Sequence, residues 1–292
     1  MPLPFRRTLS FAPWLLAAAL IAASAPALAV DANPARDHVR QWRSAWFTQH
    51  GMADRFAELT PELVGGGIAP PGSFPAVVAL LFKGVPSNAE AQYCAGTLIA
   101  ARKVLTAAHC ADFLVAADLA VLVGTQDLTS GGQRLAVSTI AVHPRWNPDT
   151  AGNDVAVLTL ASAATGITPV SIIASTAVEA ILAPEGTVAT AVSWGETGAG
   201  QSTKLKQGTM PLLAPGCGGS PAILCAGAPD HSVGTCSGDS GGPLFVPARQ
   251  PGRRLQAAVT SFGISACASP GVPDFFARLA VLGAWVKLQL RP

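Results

Sequence analysis

The chain has 292 residues, a formal net charge of +2, 12% charged residues and 50% hydrophobic ones. That charge builds no concentrated basic surface for nucleic acid, the apolar fraction is too high for disorder, and the Glu/Lys/Arg runs of a coiled coil are absent. Gly (29), Pro (24) and six Cys instead fit a strand-and-turn protein from an oxidising compartment.

Residues 1–29 read as a secretory signal peptide. Arg6 and Arg7 give the positive start, Leu15 to Ala23 the apolar stretch, and Ala27-Leu28-Ala29 the small residues of a cleavage site. A membrane anchor is the weaker reading, because Pro13, Ser24 and Pro26 interrupt the stretch, and no later segment offers about 18 uninterrupted apolar residues. Residues 30–62 differ in composition from the remainder of the chain, with nine charged residues, no Cys and one Gly. Trp42, Trp46 and Phe47 fall at near-helical spacing there.

From Leu63 onward, short apolar runs alternate with turn signals. Strands are predicted at 76–82, 96–101, 120–123, 135–142, 154–160, 188–194 and 255–262, with a short turn at 107–111 and a C-terminal helix at 277–290. Regular strands with few helices argue for antiparallel barrels or a sandwich.

Three clusters carry chemistry: Leu105-Thr106-Ala107-Ala108-His109-Cys110, Asn153-Asp154-Val155-Ala156-Val157-Leu158, and Cys236-Ser237-Gly238-Asp239-Ser240-Gly241-Gly242-Pro243. Singly, a His beside a Cys is more often structural, and an Asp entering an apolar run is usually a turn residue. The Gly-Asp-Ser-Gly-Gly-Pro hexapeptide is the specific signal. With the chain order His, Asp, Ser, and with Val64-Gly65-Gly66, Ser193-Trp194-Gly195 and Ser261-Phe262-Gly263, the chain from Leu63 to about Pro292 resembles the trypsin/chymotrypsin family of serine proteases.

The resemblance implies an all-β fold of two packed six-stranded antiparallel β-barrels with a C-terminal helix. The first spans 63–175 and carries His109 and Asp154; the second spans 176–292 and carries Ser240 and the specificity pocket. It implies a secreted serine endopeptidase acting through an acyl-enzyme. A Ser hydroxyl is a poor nucleophile without a base in reach. His109 takes the proton of Ser240 and passes it to the leaving amine, while Asp154 orients the imidazole. The N–H groups of Gly238 and Ser240 form the oxyanion hole, where one donor is worth about 3–4 kcal/mol.

Six cysteines allow 15 pairings. The family pattern selects Cys94–Cys110, Cys217–Cys225 and Cys236–Cys267. A zinc site competes poorly, since no Cys-x-x-Cys pair is present. Only Asp127 is acidic in 124–134, the stretch matching the family's calcium loop, so no cofactor or metal is expected.

Residues 30–62 are then a pro-segment. Cleavage after Glu62 by an activating protease frees Leu63, whose ammonium pairs with Asp239 and orders the oxyanion loop. Gly234 stands where the family's pocket base lies, beside Thr235. Gly263 and Gly271 resemble the two wall positions and lack side chains, Ser261 is a further pocket residue and Phe262 offers an apolar face to the residue next along, so the slot is open and uncharged and favours Phe, Tyr, Leu or Met before the scissile bond. Pro273-Asp274 reads as an insertion there, and Phe276 entering the slot would shorten it toward Ala or Val.

The expected partners are a protein or peptide substrate and the activating protease, with no nucleic acid and no membrane after processing. The product is a monomer, extracellular or periplasmic. The alternative is a catalytically silent protease-fold binding protein. An esterase would place Ser, Asp, His in that order with βα alternation, which this chain lacks.

Overall fold

The computed structural model describes residues 66–197, 200–214, 216–217, 219–227, 230, 233–236, 238–263 and 271–291. The expected signal peptide and pro-segment, Leu63, Cys267 and the expected cleavage site lie outside them.

The first body is a closed barrel of six antiparallel strands in the order β2-β3-β4-β7-β6-β5. These are β2 (Val77–Phe82), β3 (Gln92–Ala100), β4 (Lys103–Thr106), β5 (Leu119–Val123), β6 (Gln133–Val142) and β7 (Ala156–Leu160). Closure leaves no sheet edge open. The interior is filled by Val78, Leu80, Leu98, Val104, Leu105, Val121 and Leu158, each fully buried. A four-residue helix α1 (Asn88–Ala91) is capped by the Ser87 hydroxyl, which accepts the Glu90 N–H.

The second body is a seven-stranded sheet. Besides β1 (Gly67–Ile68) it contains β8 (Val188–Ser193), β11 (Lys206–Pro211), β12 (Ile223–Ala226), β13 (Pro243–Pro247), β14 (Arg254–Phe262) and β15 (Asp274–Arg278), in the order β1-β11-β8-β13-β14-β15-β12. A Leu212–Ala226 bridge and the Leu213 N–H to Cys225 C=O bond tie β12 back to the end of β11, so the sheet curls on itself. Six of its strands match the expected second barrel. The seventh, β1, comes from the N-terminal side and pairs with β11 through Gly67↔Gln207. A small hairpin, β9 (Glu196–Thr197) and β10 (Gly200–Gln201), stands apart.

Two helices complete the fold, α2 (Thr176–Leu182) and α3 (Leu279–Leu288). The helix predicted from 277 begins two residues later, because Ala277 and Arg278 pair with Val259 and Ala258 in β15. The C-terminal helix also reaches the first barrel. Its Trp285 ring meets His143 edge-on at 4.9 Å, and His143 Nδ1 accepts the Arg145 N–H. Burial, followed by the nearby Arg145 charge, holds the His143 pKa below its usual value. This agrees with a structural imidazole.

Arg278 ends β15 and grips Glu179 of α2 through Nε, at 3.0 Å to both carboxylate oxygens, and through a terminal nitrogen. Both residues are buried. Glu179→Ala strands a buried guanidinium and should cost about 3–5 kcal/mol, a large share of a typical domain's stability. Urea unfolding measures this; a loss under about 1 kcal/mol would contradict the assignment.

Candidate active site

His109 sits in a single 3-10 turn, Ala108–Cys110, that follows β4. The turn is held from both ends. Cys110 is bonded to Cys94 of β3, and its carbonyl accepts the Tyr93 hydroxyl at 2.9 Å. The two sulfurs are spent in a disulfide, so they offer no thiolate to a metal.

Asp154 precedes β7. Its neighbour Asn153 adopts φ +59, a left-handed conformation that Asn tolerates better than most residues, and the Asn153 amide donates to the Arg145 carbonyl. This bend aims the Asp154 carboxylate back at the His109 turn. Oδ2 lies 2.8 Å from His109 Nδ1, and Oδ1 accepts the His109 backbone N–H at 3.0 Å. Both side chains are almost fully buried.

Ser261 Oγ also donates to Asp154 Oδ2, at 2.5 Å. The sequence expected Ser261 only as a pocket residue. Its position comes from an irregularity in the sheet: β14 and β15 pair as Thr260↔Phe276 and then Phe262↔Phe275, so Ser261 is an extra residue. Such a bulge re-aims a side chain.

Ser240 lies at the opposite side of the junction and is 3% exposed. Its carbonyl accepts the N–H of Ala95 in β3, so the loop of the second body is tied directly to the strand bearing Cys94. Gly241 makes this approach possible. It has φ +78, and a Cβ there would lie 2.2 Å from Thr106 Oγ1 and 2.4 Å from the Ala95 carbonyl. Only glycine fits. A small cleft is lined by Ser240, Thr235, Cys236, Thr260, Ser261, Phe262 and Gly263. Asp154 thus meets His109 of the first body and Ser261 of the second, and Ser261 shares the cleft lining with Ser240.

Gly238 has φ +84, and its carbonyl accepts the side-chain amide of Gln92 at 3.3 Å. Gln92 is fully buried on β3, and the same amide also reaches the Cys94 carbonyl. Sequence reading did not single it out, since a lone Gln in an apolar stretch carries no motif.

Asp239 points away from the cleft into the second body. Its Oδ1 accepts the Ser193 hydroxyl and the Gly195 N–H at 2.9 Å; Oδ2 accepts the Cys236 N–H at 2.7 Å. Complete burial raises its pKa to about 6, against the lowering effect of those three donors and of the Lys206 charge. The Ser193-Trp194-Gly195 signature thus forms the cradle of this carboxylate.

Of the expected pocket residues, Gly234 is buried next to Thr235, while Gly271 lies in an exposed turn with φ +77, outside the cleft lining. Phe276 is fully buried in the core of the second body, and Phe275 instead stacks on Phe262, ring centres 4.8 Å apart. The Asp274 carboxylate accepts the Thr235 N–H at 2.8 Å. Cys217 is bonded to Cys225 as expected, and Cys236 is disulfide-bonded. Asp127 is committed to Lys204 Nζ, the Thr129 N–H and hydroxyl, and the Ser130 hydroxyl. These partners, the Lys204 contact foremost, hold its pKa well below the carboxylate range.

A buried His–Asp pair lies in the first body, and a serine in a glycine-bounded turn lies in the second. The Trypsin family model matches residues 63–286, and the chain belongs to that family. It is a serine-type endopeptidase. It is 37% identical over 227 residues to the trypsin of Saccharopolyspora erythraea, covering 74% of this chain and 93% of that one. It is 30% identical over 243 residues to the vitellin-degrading protease of Bombyx mori, covering 77% and 84%. Serine protease 56 of Homo sapiens is 35% identical over 252 residues, which are 78% of this chain but only 39% of that protein.

Proposed function

We propose that this endopeptidase is secreted as a zymogen and hydrolyses peptide bonds through Ser240, His109 and Asp154. The observation that carries the reading is the buried His109–Asp154 pair, bonded twice, with Ser261, which also donates to Asp154, lining a cleft together with Ser240. Asp154 fixes the tautomer with Nδ1 protonated, which leaves Nε2 as the base toward Ser240. Ser261 gives Asp154 a further donor, which helps hold the carboxylate in place. Ser240 attacks the scissile carbonyl, the N–H groups of Gly238 and Ser240 take the oxyanion, and His109 then protonates the leaving amine.

Gln92 acts as a positioning residue. Its bond to the Gly238 carbonyl holds the oxyanion loop against the first barrel. Gln92→Met keeps the length and removes the donor. It should lower kcat by about tenfold with little change in KM, since only a transition-state interaction is weakened. An equal rise in KM with kcat intact would refute the role.

In this reading residues 1–29 direct export, 30–62 are the pro-segment, and the mature barrels span 63–175 and 176–292. Among the described residues no helix is long and apolar enough to cross a membrane, and the product acts on protein or peptide substrates as a monomer. Cleavage after Glu62 frees the Leu63 ammonium, which pairs with Asp239 in the Ser193–Gly195–Cys236 cradle. The stacked Phe262 and Phe275 give the cleft an apolar wall suited to Phe, Tyr, Leu or Met before the scissile bond. N-terminal sequencing of the active form should begin at Leu63, and a fluorophosphonate should label Ser240. An active species beginning at Val30 would refute the activation scheme, and an unlabelled mature protein would favour a silent binding protein.

A further inference from the structure

We propose that His143 and Trp285 are positioning residues for the reaction: with Asn153 they form a brace through which the C-terminal helix holds the Asp154 carboxylate on His109. This rests on the proposed role of Asp154 and goes beyond it, to side chains that act only through that carboxylate.

The brace is built within the segment that joins β6 to β7. His143 follows β6 directly, and Asp154 stands two residues before β7. The His143 N–H bonds the Val155 carbonyl at 3.1 Å, so the two ends of the segment lie side by side. The ring adds a second tie. Its Nδ1 accepts the Arg145 N–H at 3.2 Å, and the Arg145 carbonyl accepts the Asn153 side-chain amide at 2.9 Å. Asn153 immediately precedes Asp154 and holds the left-handed φ of +59. Such a backbone state is sparsely populated for a residue with a side chain, and it persists where the surroundings over-determine it. The bond to the Arg145 carbonyl supplies that constraint, and the His143 ring fixes Arg145.

Trp285 in turn fixes the ring. His143 is 5% exposed, and the Trp285 ring meets it edge-on with centres 4.9 Å apart. A ring turned over would present carbon instead of Nδ1 to the Arg145 N–H. Packing against Trp285 opposes that turn. The neutral imidazole, favoured by burial and then by the Arg145 charge, keeps the Nδ1 lone pair for the bond. His143 therefore serves as a fixed acceptor and passes no proton. The same segment is tied to the other half of the pair. Trp146 Nε1 donates to Asp112 at 2.7 Å, and the Asp112 N–H bonds the Ala108 carbonyl of the His109 turn at 2.9 Å. A misplacement of about 1 Å costs about 100-fold in rate, so a brace against smaller drifts of Asp154 is worth about tenfold.

The test measures kcat and KM of activated wild-type enzyme, Asn153→Gly, His143→Leu, His143→Asn and Trp285→Leu on one peptide amide. Fluorophosphonate titration counts active sites, so each kcat is expressed per titrated site. Glycine keeps the left-handed φ at 153 and removes the amide. Leucine at 143 removes the acceptor, whereas the oxygen of Asn accepts the N–H two residues on. Asn153→Gly and His143→Leu should each lower kcat about tenfold with KM within about twofold. His143→Asn should stay within about threefold of wild type, the reverse of what a packing role predicts for a polar replacement in a buried site. Trp285→Leu should lower kcat about fivefold and add nothing to His143→Leu in the double variant, since it acts through that ring. An unchanged kcat in Asn153→Gly overturns the proposal, and decides the matter even where the variants at 143 fail to fold. His143→Asn as slow as His143→Leu overturns the acceptor role. Additive losses in the double variant overturn the part assigned to the helix. Asp154→Asn is measured alongside. If it loses activity while the brace variants keep theirs, only this inference is overturned. If it keeps activity, or if no wild-type site titrates, the proposed role of Asp154 falls and this inference falls with it.

Discussion

Ser240→Ala should lower kcat/KM by about 10⁴–10⁶-fold while leaving the fold intact, equivalent to about 5–8 kcal/mol of transition-state stabilisation. The side chain is small and lies at a loop, so removing one oxygen leaves the β3 contact of the Ser240 carbonyl in place. Asp154→Asn should fall by about 10⁴-fold, because an amide in that position favours the wrong imidazole tautomer. The two losses should not add in a double variant, since the groups act as one unit. The measurement is steady-state hydrolysis of a peptide amide, with thermal unfolding as the check on folding. Retention of hydrolysis within tenfold in Ser240→Ala would remove Ser240 from the chemistry.

Asp239→Asn should reduce the activity of the processed enzyme by about 100-fold or more. The proposed Leu63 ammonium then loses its buried counter-charge, a loss typically costing about 3–5 kcal/mol. The amide of Asn also brings N–H donors toward the donors of Ser193, Gly195 and Cys236 that now bond the carboxylate. A pH signature separates this from simple misfolding. In the uncleaved chain burial raises the Asp239 pKa from 3.8 to about 6. The folded state therefore binds the proton more tightly than the unfolded one. That contribution is fully present below about pH 4 and is lost as pH rises through about 6, amounting to about 3 kcal/mol in all. Urea unfolding of the precursor between pH 4 and 7 should show the decline, and Asp239→Asn should abolish it. Identical pH profiles for the two proteins would contradict the burial argument.

The residues proposed for chemistry were legible because each lies in a short local motif. The hexapeptide around Ser240 carries its own glycines, and Gly241 has the contact that demands one: its missing Cβ is the space in which Thr106 and Ala95 approach. The longer strands were legible as apolar runs. The strands Lys103–Thr106, Ile223–Ala226 and Pro243–Pro247 were not: the first has only two apolar residues, the second follows the Gly-Gly-Ser-Pro turn signals at 218–221, and the third is bounded by prolines, while Lys206–Pro211 contains Gly208 and a terminal Pro that read as turn signals. The segment from Asp274 to Leu288 is apolar almost throughout, and periodicity does not divide it. Sheet pairing does, keeping Asp274–Arg278 extended and releasing Leu279 onward into a helix.

The amino-acid order by itself determined the family resemblance and the nucleophile motif, since both are written in residues close together along the chain. Tertiary structure alone decided which side chains serve those groups from afar. Gln92 reaches Gly238 across 146 positions, Ser261 reaches Asp154 across 107, and Asp274 reaches Thr235 across 39. No local pattern encodes such meetings, because they arise from barrel closure and from a one-residue bulge that turns a side chain toward a different partner.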